Sequence, residues 1–160
     1  MAPLTTAGRQ SGFTYIGVLI GVAILGAMLA SLGTVWHTMA QRDQEKELLF
    51  VGHQFRLALN RYYQSNQRYP LRLEQLVQDD SAQVVRRYLR KIYVDPLTRQ
   101  PSWGLVTQAD GQIVGVYSLS GKAPLKKAGF RPQDADFGEK SKISDWLFMA
   151  EGQAGAVQTR

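Results

Sequence analysis

Four carboxylates, Asp134, Asp136, Glu139 and Asp145, fall in one short segment of an otherwise basic chain. Carboxylates at alternate positions can supply the oxygen ligands that calcium takes. Lys140 and Lys142 interrupt the set, and the spacing of an EF-hand is absent. Two readings stay open: a calcium loop, and a solvated loop that neutralises itself. The only histidines, His37 and His53, stand 16 residues apart. That spacing makes a poor metal site, so each reads as a structural or surface residue. There is no cysteine, hence no disulfide and no thiol nucleophile. No GxxxxGK[ST] phosphate loop occurs. Without Cys or a spare His, a nucleophile–base pair is hard to build. Glu45 and Glu47 lie among Arg42, Asp43 and Lys46, so helical salt links account for them. No catalytic residue and no cofactor other than that calcium are expected; the chain does not read as an enzyme.

Cations form two further groups. Arg86, Arg87, Arg90 and Lys91 have Tyr88 and Tyr93 interleaved. Lys122, Lys126, Lys127 and Arg131 follow later. The chain carries 19 Lys and Arg against 13 Asp and Glu, a formal charge of +6. Such patches can meet nucleic-acid phosphates without any motif, lipid headgroups, or an acidic neighbour. A solvated basic surface, or a contact with acidic neighbouring subunits, is the preferred explanation, and nucleic acid the less expected one.

The elements that position these residues start with an apolar run. Gly12 to Trp36 reads GFTYIGVLIGVAILGAMLASLGTVW, and no charged residue lies between Arg9 and Arg42. About 20 apolar residues suffice to cross a bilayer as a helix. A secretory signal has a shorter core and a cleavage site after it. Here the small-residue boundary, Ser11-Gly12, precedes the run, so cleavage there keeps the helix. Arg9 before the run, against a mixed Arg42–Glu47, favours a cytoplasmic N-terminus.

Beyond the run no Pro intervenes before Pro70. Leu48, Val51, Phe55, Leu59 and Tyr62 recur at spacings of three and four, one face of an amphipathic helix. One helix is therefore expected from about Thr14 to Gln64, with Gln41–Glu47 as a solvated waist. Gly52 weakens it by about 1 kcal/mol relative to Ala and permits close packing. Tyr69-Pro70 forms a turn. Short helices are expected over Leu71–Val77, with Leu73, Leu76 and Val77 inward, and over Ala82–Arg90, capped by Asp79-Asp80-Ser81. Strands are expected over 102–107 and 112–118 around Asp110-Gly111, a hairpin signal. The patch Ile143–Met149, with Trp146, is expected to add an edge strand. About 100 residues follow the anchor, enough for one modest core. Trp103, Tyr117 and Trp146 are expected on the Phe55–Leu59–Tyr62 face.

The Gly12-Phe13-Thr14-Tyr15-Ile16 start and the helix after it resemble the type IV pilin and pseudopilin family. Tyr69-Pro70, Tyr93-Val94-Asp95-Pro96, Trp103-Gly104 and Val116-Tyr117-Ser118 are similar to the major pseudopilins of type II secretion. The resemblance implies an α+β, pilin-like fold: a long N-terminal helix, membrane-spanning in its first half, packed on a small helix and antiparallel hairpin body. It divides the chain into a leader (1–12), a transmembrane helix (13–36), its extension (37–64), a body (65–150) and a disordered tail (151–160). It implies cleavage after Gly12 and methylation of Phe13 by a prepilin peptidase. It implies partnership with other pilin or pseudopilin subunits, an inner-membrane assembly platform and lipid, with the body in the periplasm. Major pseudopilins bind calcium in a late loop, which draws attention back to Asp134, Asp136, Glu139 and Asp145. The family carries a Glu five positions into the mature chain; Gly17 stands there. Gly17 and Gly21 form a GxxxG, which lets helices approach closely. Two roles follow from Gly17: a minor or initiating subunit, or a pilin-like protein that stays in the inner membrane. The reading from another class is a non-assembling, single-pass membrane protein whose basic domain binds DNA or an acidic partner.

Overall fold

The computed structural model describes residues 11–79 and 85–153, with side chains within its first helix described from Tyr15 to Met28 and from Thr38 onward. The fold is α+β: helix α1 (Ser11–Asn66), a single helical turn α2 (Glu74–Val77), and a three-stranded antiparallel sheet. The strands are β1 (Gly104–Thr107), β2 (Ile113–Tyr117) and β3 (Phe148–Met149), in that order across the sheet. Residues 1–40 and 41–160 form two compact units.

In the first unit the described side chains of α1 are apolar on every side. Tyr15, Ile16, Val18, Leu19, Ile20, Val22, Ile24, Leu25 and Met28 are all at least half exposed. A helix apolar all round has no solvated face to present to water. Among the described residues no helix is long and apolar enough to cross a membrane. The side chains at 29–37, His37 among them, and the whole of 1–10 lie outside the described residues. The expected leader and the second part of the expected span therefore fall outside them.

In the second unit the expected stripe of α1 is the floor of the core. Leu48, Val51, Phe55, Leu59 and Tyr62 are buried, and Ala58 joins them. The helix ends at Asn66, where Gln67 turns into the left-handed region at φ 52° and its N–H still reaches Tyr63 O at 2.8 Å. The sheet lies over this stripe. Gly52 lets it come close: the ring of Phe148 on β3 occupies the place a Cβ would take. Gly104 does the same across strands, where the ring of its register partner Tyr117 covers it. The β1–β2 hairpin turns as expected, with Gly111 at φ 81° and its N–H on Gln108 O at 2.9 Å. A bulge between Val106 and Thr107 adds local twist. The hairpin tip is tied back to the Tyr69-Pro70 turn. Gln112 Oε1 accepts the Tyr69 N–H at 2.6 Å, and Pro70 O accepts that of Ile113 at 2.8 Å.

Several expectations are corrected. Residues 85–90 are not helical; Arg86 instead pairs with Asp79, and the N–H groups of Tyr88 and Leu89 both bond Leu76 O. Residues 80–84, the rest of that expected helix and its cap, lie outside the described residues. The Leu71–Val77 helix is reduced to α2, because Gln75 Oε1 accepts the Leu71 and Arg72 N–H groups and makes them a turn. Only the end of the 143–149 patch is strand; Ile143–Asp145 is a 3-10 turn. Trp103 does meet Phe55, edge-on at 5.1 Å. Trp146 instead stacks flat on Phe137 at 5.4 Å and takes Phe130 edge-on at 5.5 Å. Glu151–Gln153, the start of the expected tail, is a turn whose Glu151 N–H bonds Asn60 Oδ1 at 3.0 Å; residues 154–160 lie outside the described residues.

Two substitutions test this packing by thermal denaturation. Leu59→Ala should cost about 2–5 kcal/mol, because the side chain is fully buried. Gly52→Ala should destabilise although Ala favours a helix by about 1 kcal/mol, because its methyl enters the Phe148 ring. In a Phe148→Ala background the same Gly52→Ala change should be neutral or stabilising; equal effects in both backgrounds would refute the contact.

Candidate functional site

Helix α1 carries Gly12, Phe13, Gly17 and Gly21 in its first part and Glu45, His53 and Arg56 in its second. At Gly12 and Phe13, the expected processing junction, the backbone is helical; their side chains lie outside the described residues. Gly17 and Gly21 face open space: no atom beyond their own stretch of helix comes within 4 Å of where a Cβ would stand. Among the described residues nothing packs against the GxxxG.

The second unit buries Glu45, Arg56, Asp79, Asp95 and Asp134. Asp79 accepts from the Asn66 amide and the Tyr88 hydroxyl, and the other four form three clamps that sequence reasoning misplaced or missed. Glu45 was expected in a solvated waist, yet it is only 1% exposed. Its carboxylate accepts the N–H groups of Leu125 at 2.8 Å and Lys126 at 2.9 Å, and the Gln41 side-chain amide at 3.1 Å. Charge-assisted bonds to backbone N–H are the strong class, so Glu45 clamps a loop some 80 residues away. Among the described residues the only ion pair in that waist is the exposed Lys46–Asp43 pair at 2.9 Å. A signal was present: Glu45 precedes Leu48 by three, so it lies on the buried stripe.

Arg56 and Asp134 form the second clamp, a buried pair at 2.7 Å. Arg56 Nε also donates to Met149 O at 2.9 Å and covers the outer edge of β3. Its guanidinium lies 5.9 Å from the Phe148 ring centroid. Asp95, fully buried, makes the third clamp. One carboxylate oxygen accepts the Leu97 N–H at 2.9 Å and the other accepts the Ser118 hydroxyl at 2.6 Å. The Asp95-Pro96 motif is thus the pin between the 95–100 turn and the end of β2. Trp103 Nε1 donates to Tyr93 O at 2.8 Å beside it.

The four carboxylates considered for calcium are not brought together. Asp134 is buried on Arg56, whereas Asp136, Glu139 and Asp145 are exposed. Among the described residues no three His, Asp or Glu side chains gather as a metal-holding group. A hollow of about 370 Å³ is lined by Arg56, Asp136, Lys140, Asp145 and Glu151. Its mixed signs select neither a cation nor an anion. Of the basic groups, Arg86, Arg87, Arg90 and Lys91 are exposed on the loop after α2, with Lys91 Nζ 5.5 Å from the Tyr93 ring centroid. Lys122, Lys126 and Lys127 lie on the Glu45-clamped loop, and Arg131 opens the 3-10 helix Pro132–Glu139. His53 sits on α1 with Nδ1 buried and without a hydrogen-bond partner, as is Arg56 Nη1. Burial lowers the His53 pKa below its usual 6.5; the charges of Arg131 and Arg56 lower it further, and Asp134 opposes them.

Two outcomes follow. Asp134→Asn and Arg56→Met should each destabilise by about 3–5 kcal/mol, because either leaves a buried charge unpaired; their combination should cost less than the sum, read from chemical denaturation. The His53 shift sets a pH dependence. The folded state disfavours the imidazolium, so the unfolded state binds the extra proton. The stability this neutral His53 contributes is present above about pH 6.5 and is lost as pH falls through the lowered folded value. The thermal midpoint should drop between about pH 7.5 and about pH 5.5, and His53→Gln should flatten that part of the profile.

No protein-family model, curated protein or solved structure matches the chain, so its function is read from these residues and their geometry.

Proposed function

We propose that the chain is a pilin-like, pseudopilin-type subunit of a type II secretion or type IV pilus-like machine, structural and non-catalytic. The observation that carries the reading is the division of one helix into two surfaces. From Tyr15 to Met28, α1 exposes large apolar side chains on all sides; from Leu48 to Tyr62 it buries one stripe beneath a small α+β body. An all-apolar helix suits lipid or the apolar interior of a filament. With the unbroken apolar sequence from Phe13 to Trp36, it supports an inner-membrane anchor, an N-terminus in the cytoplasm and a periplasmic body. The Gly12-Phe13 junction adds processing by a prepilin peptidase and N-methylation.

The same reading gives Gly17 a meaning. A carboxylate at membrane depth costs a few kcal/mol and is normally kept for a pairing partner. This chain has none to pair and no atom of its own near that site. A subunit at the leading end of a filament, or one that stays in the membrane, needs no carboxylate there. The buried charges of the body are all engaged in clamps, which supports a structural role over a catalytic one.

Mass spectrometry of the native protein should find Phe13 as the first residue, with one added methyl on its amine. Gly12→Leu should retain the leader. A mature protein that still starts at Met1 in cells with an active prepilin peptidase would overturn the reading. Cross-linking to filament subunits, run beside an assay of secretion, separates the initiating role from the resident one. A stable resident is expected to show neither cross-links nor a secretion defect on deletion.

A further inference from the structure

One loop of the body has a place and composition that the fold alone does not require. Residues 118–127 read SLSGKAPLKK. On one side α1 fixes the backbone: Glu45 accepts the Leu125 and Lys126 N–H groups, and the Gln41 amide donates to Ala123 O at 2.9 Å. On the other side Lys122 O accepts the Ile143 N–H at 3.0 Å, and Ser120 O accepts that of Ser144 at 3.1 Å. The loop is therefore held at the end of the body that carries Gln41, the first residue of that unit. Arg42 in turn follows the apolar run ending at Trp36 by six residues.

What the held backbone presents is cationic with an apolar point. Lys122 and Lys127 are exposed, Lys142 is exposed beside Ile143, and Lys126 is half-buried with Nζ 5.0 Å from the Phe130 ring centroid. Leu125 stands 40% exposed among them. With Arg42, Glu45, Lys46 and Lys126 it lines a groove of about 230 Å³. The nearby negative charges are largely engaged: Glu45 by its N–H donors and Asp43 by Lys46. Fixing the loop in this form leaves little ordering to be done on binding.

We propose that the 122–127 loop, with Arg42, is an interfacial collar that binds anionic phospholipid headgroups, with Leu125 entering the apolar boundary below them. The proposal rests on the reading of α1 as a membrane anchor. Cations interleaved with an exposed apolar side chain match a surface that is anionic above and apolar beneath. Lysine stems can lie along the apolar layer while their ammonium groups stay at the phosphates. A nucleic-acid backbone would use the cations but leave Leu125 without a role.

The chain has no cysteine, so single labels are unambiguous. The full-length protein, as Leu125→Cys or Leu19→Cys carrying an environment-sensitive fluorophore, is placed in nanodiscs of phosphatidylcholine alone or mixed with phosphatidylglycerol. A headgroup-borne nitroxide and aqueous iodide serve as quenchers. The Leu125 label should show several-fold stronger nitroxide quenching in the anionic discs, weakened by salt. Lys122→Gln/Lys126→Gln/Lys127→Gln should abolish the rise, whereas Arg86→Gln/Arg87→Gln/Arg90→Gln, with the same loss of charge, should keep it. Unchanged tryptophan emission would show that both variants remain folded. A Leu19 label shielded from iodide with a Leu125 label indifferent to phosphatidylglycerol overturns the collar and leaves the anchor standing. A Leu19 label open to iodide overturns the anchor reading itself. A Leu125 label that answers duplex DNA and not anionic discs assigns the surface to nucleic acid and overturns the proposal.

Discussion

The body depends on one stripe of α1, because nothing else in it can form a core alone. Its strands have four, five and two residues. A sheet that small is marginal in water without a partner. Leu48, Val51, Phe55, Leu59 and Tyr62 supply that partner, and each is buried. The remaining chain then adapts to the stripe. Gly52 admits Phe148, which brings β3 down onto the helix, and Phe137 and Trp146 stack behind it. Because Phe130, Phe137, Trp146 and Phe148 touch one another mainly at ring edges, the second half of the core is specified by shape as well as by area.

Apolar burial alone does not say where long loops attach to such a helix. Polar clamps decide that. Glu45 holds the loop through Leu125 and Lys126, Arg56 holds Asp134 and the carbonyl of Met149, and Asp95 holds Ser118. A buried charge missing its partners is costly, so a wrongly placed loop would leave Glu45 or Arg56 unsatisfied. The penalty for the wrong arrangement exceeds the net gain of the right one. These residues therefore serve uniqueness of fold more than its total stability.

Period-based features were legible in the sequence because their cause is local. The α1 stripe, the Asp110-Gly111 hairpin and the Tyr69-Pro70 turn all follow from residue spacing or backbone preference within a few positions. The clamps were not legible, because the loops that Glu45 and Arg56 hold lie 78 to 93 residues away and Ser118 stands 23 residues beyond Asp95. Glu45 looked like a surface charge among surface charges until the loop that desolvates it was in place. Over its described part, 85–90, the expected helix failed for a related reason. Its local cap signal was outweighed by backbone bonds of Arg86, Tyr88 and Leu89 to Asp79 and Leu76, which hold that stretch extended over α2. Leu89 is buried and Tyr88 packs half-buried against the core, whereas Val85 is more than half exposed.

The same rule that explains the clamps bears on Gly17. Among the described residues of the body every buried carboxylate has donors fixed by the chain itself: three for Glu45, an amide and a hydroxyl for Asp79, a guanidinium for Asp134, and N–H and hydroxyl donors for Asp95. At position 17 the chain fixes none, since nothing beyond the helix's own turns stands within 4 Å of a Cβ there. A carboxylate at that site would be satisfied only by a group from another molecule. Its stability in an apolar setting would then depend on assembly, and the unassembled subunit would bear the desolvation cost alone. Glycine removes that dependence. The first unit is thereby free of any charge that needs a partner across the described run from Tyr15 to Met28, and among the described residues the ion pairs are confined to residues beyond Gln41. The division of charge along one helix, none where partners cannot be guaranteed and clamped where they can, is the physical basis for treating its two parts as surfaces for different environments.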